Sequence, residues 1–137
     1  MIEAVADASG CWIPSVPVIS VVPLVPDDTW RITAVLLSPT ASAFAASQYA
    51  GAGLNMTSIK LSAKQISQIP LPSDQAAWTE GARLVASAHS AVSASERVDR
   101  LLEFGAIMCT AYRQEAGDLM SWWTDRAKLL GGTGEAA

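Results

Sequence analysis

The sequence predicts a mostly helical α+β protein, with small edge strands and a glycine loop in its first half and a three-helix antiparallel bundle in its second half. Two observations lead to this prediction. All 7 prolines lie within residues 1–72, whereas residues 73–137 contain none and repeat apolar side chains at helical spacing. Residues 16–24 are rich in Val and Ile and lie between prolines, which favours a short strand at a sheet edge. We expect the two segments, 1–72 and 73–137, to pack into one compact unit.

Capping signals place two helices in the first half. An Asp-Asp-Thr run at 27–29 supplies N-cap chemistry for a helix that continues to residue 37. Ser38 followed by Pro39 repeats the signal as an N-cap and a first helical position. A second helix is therefore predicted over residues 39–49.

The connection between the halves begins with glycine. Gly51 and Gly53 end the second helix, because glycine reaches the left-handed conformation without a side-chain penalty. Residues 55–61 are expected to form a short extended segment, and Ser62 caps one or two helical turns after it. The Ile-Pro-Leu-Pro run at 69–72 must be extended, since a residue before proline is pushed out of the helical region.

Three amphipathic helices in series are predicted in the second half. Ser73 or Asp74 caps the first, and Gly81 thins its apolar stripe enough for close packing. Ser93 and Glu96 match a capping box at the start of the second helix, and a third follows a short break. Short connections between such helices indicate an antiparallel bundle.

The charge of the chain is unevenly distributed. It has 13 acidic and 9 basic residues and a net charge of -4, which excludes a protein that coats DNA through bulk positive charge. Residues 1–28 carry -4 and residues 74–137 carry -3, whereas residues 29–73 contain no acidic residue and carry +3. A local, shaped contact with a polyanion therefore remains compatible with the composition.

Neither catalytic nor membrane signals are found. Cys11, Cys109 and His89 do not have metal-ligand spacing, and no G-x-S-x-G elbow occurs. The Gly-Ala-Gly run at 51–53 lacks the Lys of a Walker motif and the third glycine of a dinucleotide fingerprint. The apolar stretch 16–25 is too short to span a bilayer, and the N-terminus has no secretory pattern. We expect a cytoplasmic protein with no enzymatic activity in isolation, no metal, no cofactor and no membrane partner.

The order of signals within residues 29–72 resembles a known family. The order is a helix ending in Leu-Leu-Ser-Pro at 36–39, an alanine-rich helix, Gly-Ala-Gly at 51–53, Ile-Lys-Leu-Ser-Ala-Lys-Gln-Ile at 59–66, and Ile-Pro-Leu-Pro at 69–72. It resembles the C-terminal part of the target-recognition region in adenine-N6 DNA methyltransferases and in specificity subunits of type I restriction-modification systems. Leu37 stands where asparagine is common in that family.

The resemblance implies a non-catalytic DNA target-recognition module or subunit of such a methyltransferase or restriction-modification system. The family's catalytic Asn/Asp-Pro-Pro-Tyr/Phe motif and its S-adenosylmethionine motif do not occur in the sequence, so a separate catalytic chain would bind S-adenosylmethionine. Segment 1–72 would be the recognition-like α+β part, with the helical segment 73–137 packed on it. The implied partners are DNA, bound weakly by this chain alone, and the methyltransferase catalytic chain or a second copy.

The acid-free stretch contains the candidate DNA contacts. Lys60 and Lys64 flank Ser62, whose cap leaves backbone N–H groups at a helix start that favour an anion such as phosphate. Asn55 and Gln65 could read base edges. The complete candidate set is Gly51, Gly53, Asn55, Thr57, Ser58, Lys60, Ser62, Lys64 and Gln65.

Two other interpretations remain open. In one, the chain is a helical protein-interaction or structural module that docks on a partner chain through Trp78, Trp122 and Trp123 without contacting DNA. Aromatic residues at helical spacing are also frequent in protein cores, so the same residues fit simple packing. In the other, the chain is an inactive remnant.

Overall fold

The computed structural model describes residues 1–49 and 61–132, with the side chains of the last helix described up to Lys128. None of the described helices is long and apolar enough to cross a membrane. In this part of the chain a short 3₁₀ helix at Pro26–Asp28 precedes six α-helices: α1 (Thr29–Leu37), α2 (Pro39–Tyr49), α3 (Ala63–Ile66), α4 (Gln75–His89), α5 (Ala94–Ala111) and α6 (Gly117–Gly132).

The predicted edge strands are wrong. No strand occurs in residues 1–49 or 61–132, so the fold there is helical rather than α+β. Within 16–24, Val18 N–H donates to the Ser15 carbonyl at 2.8 Å and closes a turn, and the residues after it run without a pairing partner. The 69–72 run is likewise not a strand. A strand requires a neighbouring strand for its hydrogen bonds, and the described residues supply none. The predicted extended segment 55–61 lies outside the described residues, apart from its last residue.

Three predicted caps form as expected at the starts of α2, α4 and α5. At α1 the helix begins at Thr29, but Asp28 makes no side-chain capping hydrogen bond. Ser38 Oγ, Asp74 Oδ1 and Ser93 Oγ each accept a hydrogen bond from the backbone N–H three residues later, at 3.1, 3.0 and 3.1 Å. Asp74 rather than Ser73 is thus the cap of α4. The Glu96 carboxylate accepts from the N–H of Val92, at 3.4 Å, so only one half of the predicted capping box forms at α5.

The hydrophobic core lies between α4 and α5, which form the most extensive helix pair. Helix α1 packs on α4, α6 packs on α5, and α2 contacts both α5 and α6. Both halves of the sequence therefore contribute to one core. Its largest fully buried apolar side chains are Trp123, Phe104 and Met108.

Two glycines permit the close approach of the helices around α5. A Cβ at Gly105 would lie 2.8 Å from Trp123 Cζ3 and 3.0 Å from Met120 Sδ, closer than side chains tolerate. A Cβ at Gly81 would collide with Met108 Sδ across the α4–α5 contact. The prediction that Gly81 thins its helix for close packing is confirmed.

A second, smaller cluster joins the start of the chain to the connection between the halves. Val35, Ala41 and Ile69 form its buried centre. The adjoining 69–72 run is held against the core because Tyr112 O–H donates to the Pro70 carbonyl at 2.7 Å. Burial raises the pKa of Tyr112 to about 12.

Gly105→Ala is expected to destabilise the protein. The rigid, fully buried Trp123 ring cannot move aside, so overpacking costs about 1–3 kcal/mol and exceeds the gain of about 1 kcal/mol in helix propensity. Gly117, where an added Cβ meets nothing within 4 Å, is the matched control. Urea unfolding should show a clear loss for Gly105→Ala and a change within about 0.5 kcal/mol for Gly117→Ala. Equal effects would contradict the packing described for Trp123.

Alkaline pH should remove stability through Tyr112. Its pKa of about 12 in the folded chain exceeds the ordinary value of 10, so the folded state holds the phenolic proton more tightly. This contribution is complete below pH 10 and is lost as pH rises to about 12. The melting temperature of Tyr112→Phe, followed by circular dichroism between pH 9 and 12, should therefore fall less steeply than that of the wild type. Parallel pH profiles would contradict this role of the phenol.

Candidate nucleic-acid and partner interface

The structure describes part of the candidate DNA-contact set. Six of those residues lie outside the described residues: Gly51, Gly53, Asn55, Thr57, Ser58 and Lys60. The remaining three, Ser62, Lys64 and Gln65, lie together at α3. The Ser62-capped turn predicted from the sequence is confirmed there.

Ser62 and Gln65 form a complete capping box. Ser62 Oγ accepts from the Gln65 N–H at 3.3 Å, and Gln65 Oε1 accepts from the Ser62 N–H at 2.8 Å. Such a box satisfies two backbone donors reciprocally at a helix start. Gln65 Oε1 is therefore engaged inside the protein, and contact between this oxygen and a base edge would require the box to open.

One hydrogen bond links the chain after α3 to the end of α2. Tyr49 O–H donates to Gln68 Oε1 at 2.8 Å, and Ile66 and Phe44 both pack against the smaller cluster. The last residue of α2 thus lies close to the end of α3. Lys64 projects from α3, is exposed, and forms no ion pair with any residue that the structure describes.

The side chain of Arg31, the third cation of the acid-free stretch, is engaged in contacts within the protein. Its guanidinium lies 4.1 Å from the centre of the Trp78 ring and donates to Gln75 Oε1 at 2.7 Å. Asp28 lies 4.0 Å from its Nε. These contacts join α1 to α4, so two cations of the stretch, Lys60 and Lys64, remain as candidates for contact with a polyanion.

The three candidate docking tryptophans occupy different environments. Trp78 is half-buried between α1 and α4, and its Nε1–H donates to the Arg31 carbonyl at 2.9 Å. Trp123 is 0% exposed and lies in the core. Trp122 is half-buried, with the Arg126 guanidinium 4.6 Å from its ring centre, and it borders a shallow groove between α2 and α6. Among the three, Trp78 and Trp123 have clear packing roles within the chain.

Sequence reasoning missed an exposed apolar segment, residues 11–25, which we call the apolar arm. Every one of these residues is exposed except Pro23, which is partly covered. Ile13, Val16 and Leu24 are 93%, 96% and 102% exposed. A signal for this segment is the unbroken run without charge from residue 8 to residue 26, part of which, 16–24, the Val and Ile content assigns instead to an edge strand. An apolar surface of this kind on a small protein indicates an interaction site.

The described residues contain no group of three or more His, Cys, Asp or Glu side chains placed to hold a metal ion. His89 is the last residue of α4 and its ring lies 5.2 Å from that of Trp30. Cys109 is buried, and desolvation raises the pKa of its thiol, which disfavours the reactive thiolate.

No family model, curated protein or solved structure matches this chain. Function is therefore inferred from its own residues and from the resemblance over residues 29–72.

Replacing Trp78 by Phe should destabilise the chain more than the same change at Trp122. The first change removes the hydrogen bond to the Arg31 carbonyl and part of the ring under the guanidinium, which we expect to cost about 1–3 kcal/mol. Trp122→Phe, at a partly exposed position, should change the free energy of unfolding by no more than about 0.5 kcal/mol. Urea unfolding of both variants measures this difference, and a reversed order would contradict the assignment of Trp78 to the α1–α4 contact.

Proposed function

We propose that this chain is a non-catalytic DNA target-recognition module or subunit of an adenine-N6 DNA methyltransferase or restriction-modification system. It orients DNA for a separate catalytic chain that binds S-adenosylmethionine and works with it in the cytoplasm. The observation that carries the proposal is the exposed Lys64 on a turn that begins with a complete capping box, within a 45-residue stretch, 29–73, that contains no acidic residue.

The order of elements supports this proposal. Helix α1 ends at the Ser-Pro step, α2 follows directly, and the capped turn of α3 precedes the 69–72 run, which is not a strand. These are the helical elements that the resemblance implies for residues 29–72. The hydrogen bond from Tyr49 to Gln68 holds the chain just after α3 beside the end of α2.

The positive charges of the acid-free stretch support a contact with a small number of DNA phosphates. Phosphate positioning favours cations that are not already paired, and Lys64 forms no ion pair with any described residue. With Lys60 as the second cation, about two phosphates are neutralised, which corresponds to a salt slope of only about -2. DNA affinity of the chain alone is therefore weak, and the catalytic chain supplies the remaining contacts.

A second candidate function is docking on a partner protein without DNA contact. The apolar arm favours it, because Val16, Val22 and Leu24 expose most of their side chains to solvent. The two functions are compatible in one subunit, since the arm and α3 are separate parts of the chain.

Lys64→Ala should weaken DNA binding. Loss of one phosphate contact lowers the affinity about three- to tenfold and reduces the salt slope by about 1. Lys128→Ala removes an exposed lysine from α6 and serves as the control of equal charge change. Fluorescence anisotropy with a labelled duplex of about 24 base pairs, at salt concentrations from 20 to about 150 mM, measures both quantities.

Two outcomes would contradict the recognition function. One is an equal effect of Lys64→Ala and Lys128→Ala, which would mean that binding depends on net charge alone and not on a contact made by Lys64. The other is the absence of binding at low salt, both for the chain alone and together with its catalytic chain.

A further inference from the structure

Two glutamine side chains at α3 have their amide oxygens occupied by hydrogen bonds within the chain. Gln65 Oε1 accepts from the Ser62 N–H at 2.8 Å, and Gln68 Oε1 accepts from the Tyr49 O–H at 2.8 Å. A backbone N–H can only donate, so the group of Gln65 that meets it is the oxygen. The Nε2 group of each glutamine donates to no residue that the structure describes. Each amide therefore offers its donor to a ligand while its oxygen faces the protein.

The surface around these amides is biased towards hydrogen-bond donors. Gln68 and Lys64 are exposed, and Gln65 is partly exposed. A lysine ammonium has three donors and no acceptor. The side-chain groups that these three residues leave for a ligand are thus the two Nε2 groups and the ammonium, all of them donors.

The four bases offer different partners to such donors in the major groove. Guanine presents two neighbouring acceptors, N7 and O6, whereas adenine presents one acceptor, N7, beside the N6 donor. Thymine presents one acceptor beside its methyl group, and cytosine presents a donor. Guanine is therefore the base whose edge accepts most from a surface of donors.

The capping box also closes the usual way in which glutamine reads adenine. That contact uses Oε1 and Nε2 side by side on one base edge, with the oxygen accepting from N6 and the nitrogen donating to N7. In Gln65 the oxygen is directed to the Ser62 N–H, so the two groups do not face a base together. A donor-only contact remains, and it suits guanine better than adenine.

We infer that the α3 turn reads the major-groove edge of a G·C base pair, with Gln65 Nε2 donating to guanine N7 and Gln68 Nε2 acting as a second donor. Lys64 contacts a neighbouring phosphate and fixes the register, as phosphate contacts do. This inference rests on the proposed recognition function and extends it from a phosphate contact to the class of base that is read.

Two substitutions remove the Gln65 donor in different ways. In Gln65→Glu the carboxylate still accepts from the Ser62 N–H, because glutamate is also a partner of serine in capping boxes, but an acceptor replaces Nε2. Gln65→Met removes the donor without adding charge and leaves Ser62 Oγ to cap the turn. Gln114→Glu, at an exposed position after α5, adds the same charge as Gln65→Glu and is the matched control. The core lies elsewhere, so all three variants should melt within about 2 °C of the wild type.

DNA probes that lack a single acceptor measure the contact. The full chain selects duplexes at about 20 mM salt from a pool with about ten randomised base pairs. A selected duplex is then compared with copies in which 7-deazaguanine, which lacks the N7 acceptor and still pairs with cytosine, replaces one guanine at a time. Each variant is compared with itself on two duplexes, so the effect of added charge on overall affinity cancels.

The selected duplexes should share a G·C pair. At that pair, 7-deazaguanine should weaken binding at least about fivefold for the wild type and Gln114→Glu, and no more than about twofold for Gln65→Glu and Gln65→Met. Bound duplexes without a shared G·C pair, wild-type binding that is insensitive to 7-deazaguanine, or wild-type sensitivity in both Gln65 variants would overturn the inference and leave the phosphate contact of Lys64 standing. The absence of binding to every duplex, by the chain alone and together with its catalytic chain, would overturn both the inference and the recognition function.

Discussion

The close approach of α4, α5 and α6 is the constraint on which the rest of the structure depends. Gly81 and Gly105 leave room for Met108 and Trp123, and both of these side chains are completely buried. With this contact in place, α4 presents Trp78 to Arg31, so α1 has a surface to pack on. A chain of 137 residues buries only a limited core, and a gap at this contact would affect α1 and α2, which pack on these helices.

Once these helices have formed the core, two parts of the first half are left at its surface, and each has a functional argument. Helix α3 is fixed by its capping box and by the contact between Tyr49 and Gln68, which holds the exposed Lys64 in place without using its charge. The apolar arm has the opposite character. It has no charge, and the N–H groups after its first turn make no hydrogen bond with the described residues. One part suits a polyanion and the other suits an apolar protein surface.

Local chemistry predicted the helices well, because capping acts over three or four residues. Ser38 with Pro39, Ser62, Asp74 and Ser93 each begin a helix as expected. The predicted strands were wrong because strand pairing depends on distant segments, and a Val- and Ile-rich composition predicts an extended chain without guaranteeing a neighbouring strand.

The contact between Arg31 and Trp78 could not be predicted from local sequence, since it joins residues 47 positions apart and leaves no local pattern. Of the candidate DNA contacts, the engagement of Gln65 in its own capping box was the feature that spacing alone did not reveal.

The central claim is that the helices form a self-sufficient core, while the N–H groups of the arm after its turn, from Ile19 to Val25, make no hydrogen bond with any residue that the structure describes. Amide hydrogen exchange of the free protein, followed residue by residue by NMR, tests it most directly. The account predicts the slowest exchange in α4 and α5, near the rate set by global unfolding, and exchange close to that of an unstructured peptide at Ser20, Val22 and Leu24. Protection of these arm amides comparable to that of the core would contradict it, because the arm would then already be paired within the chain.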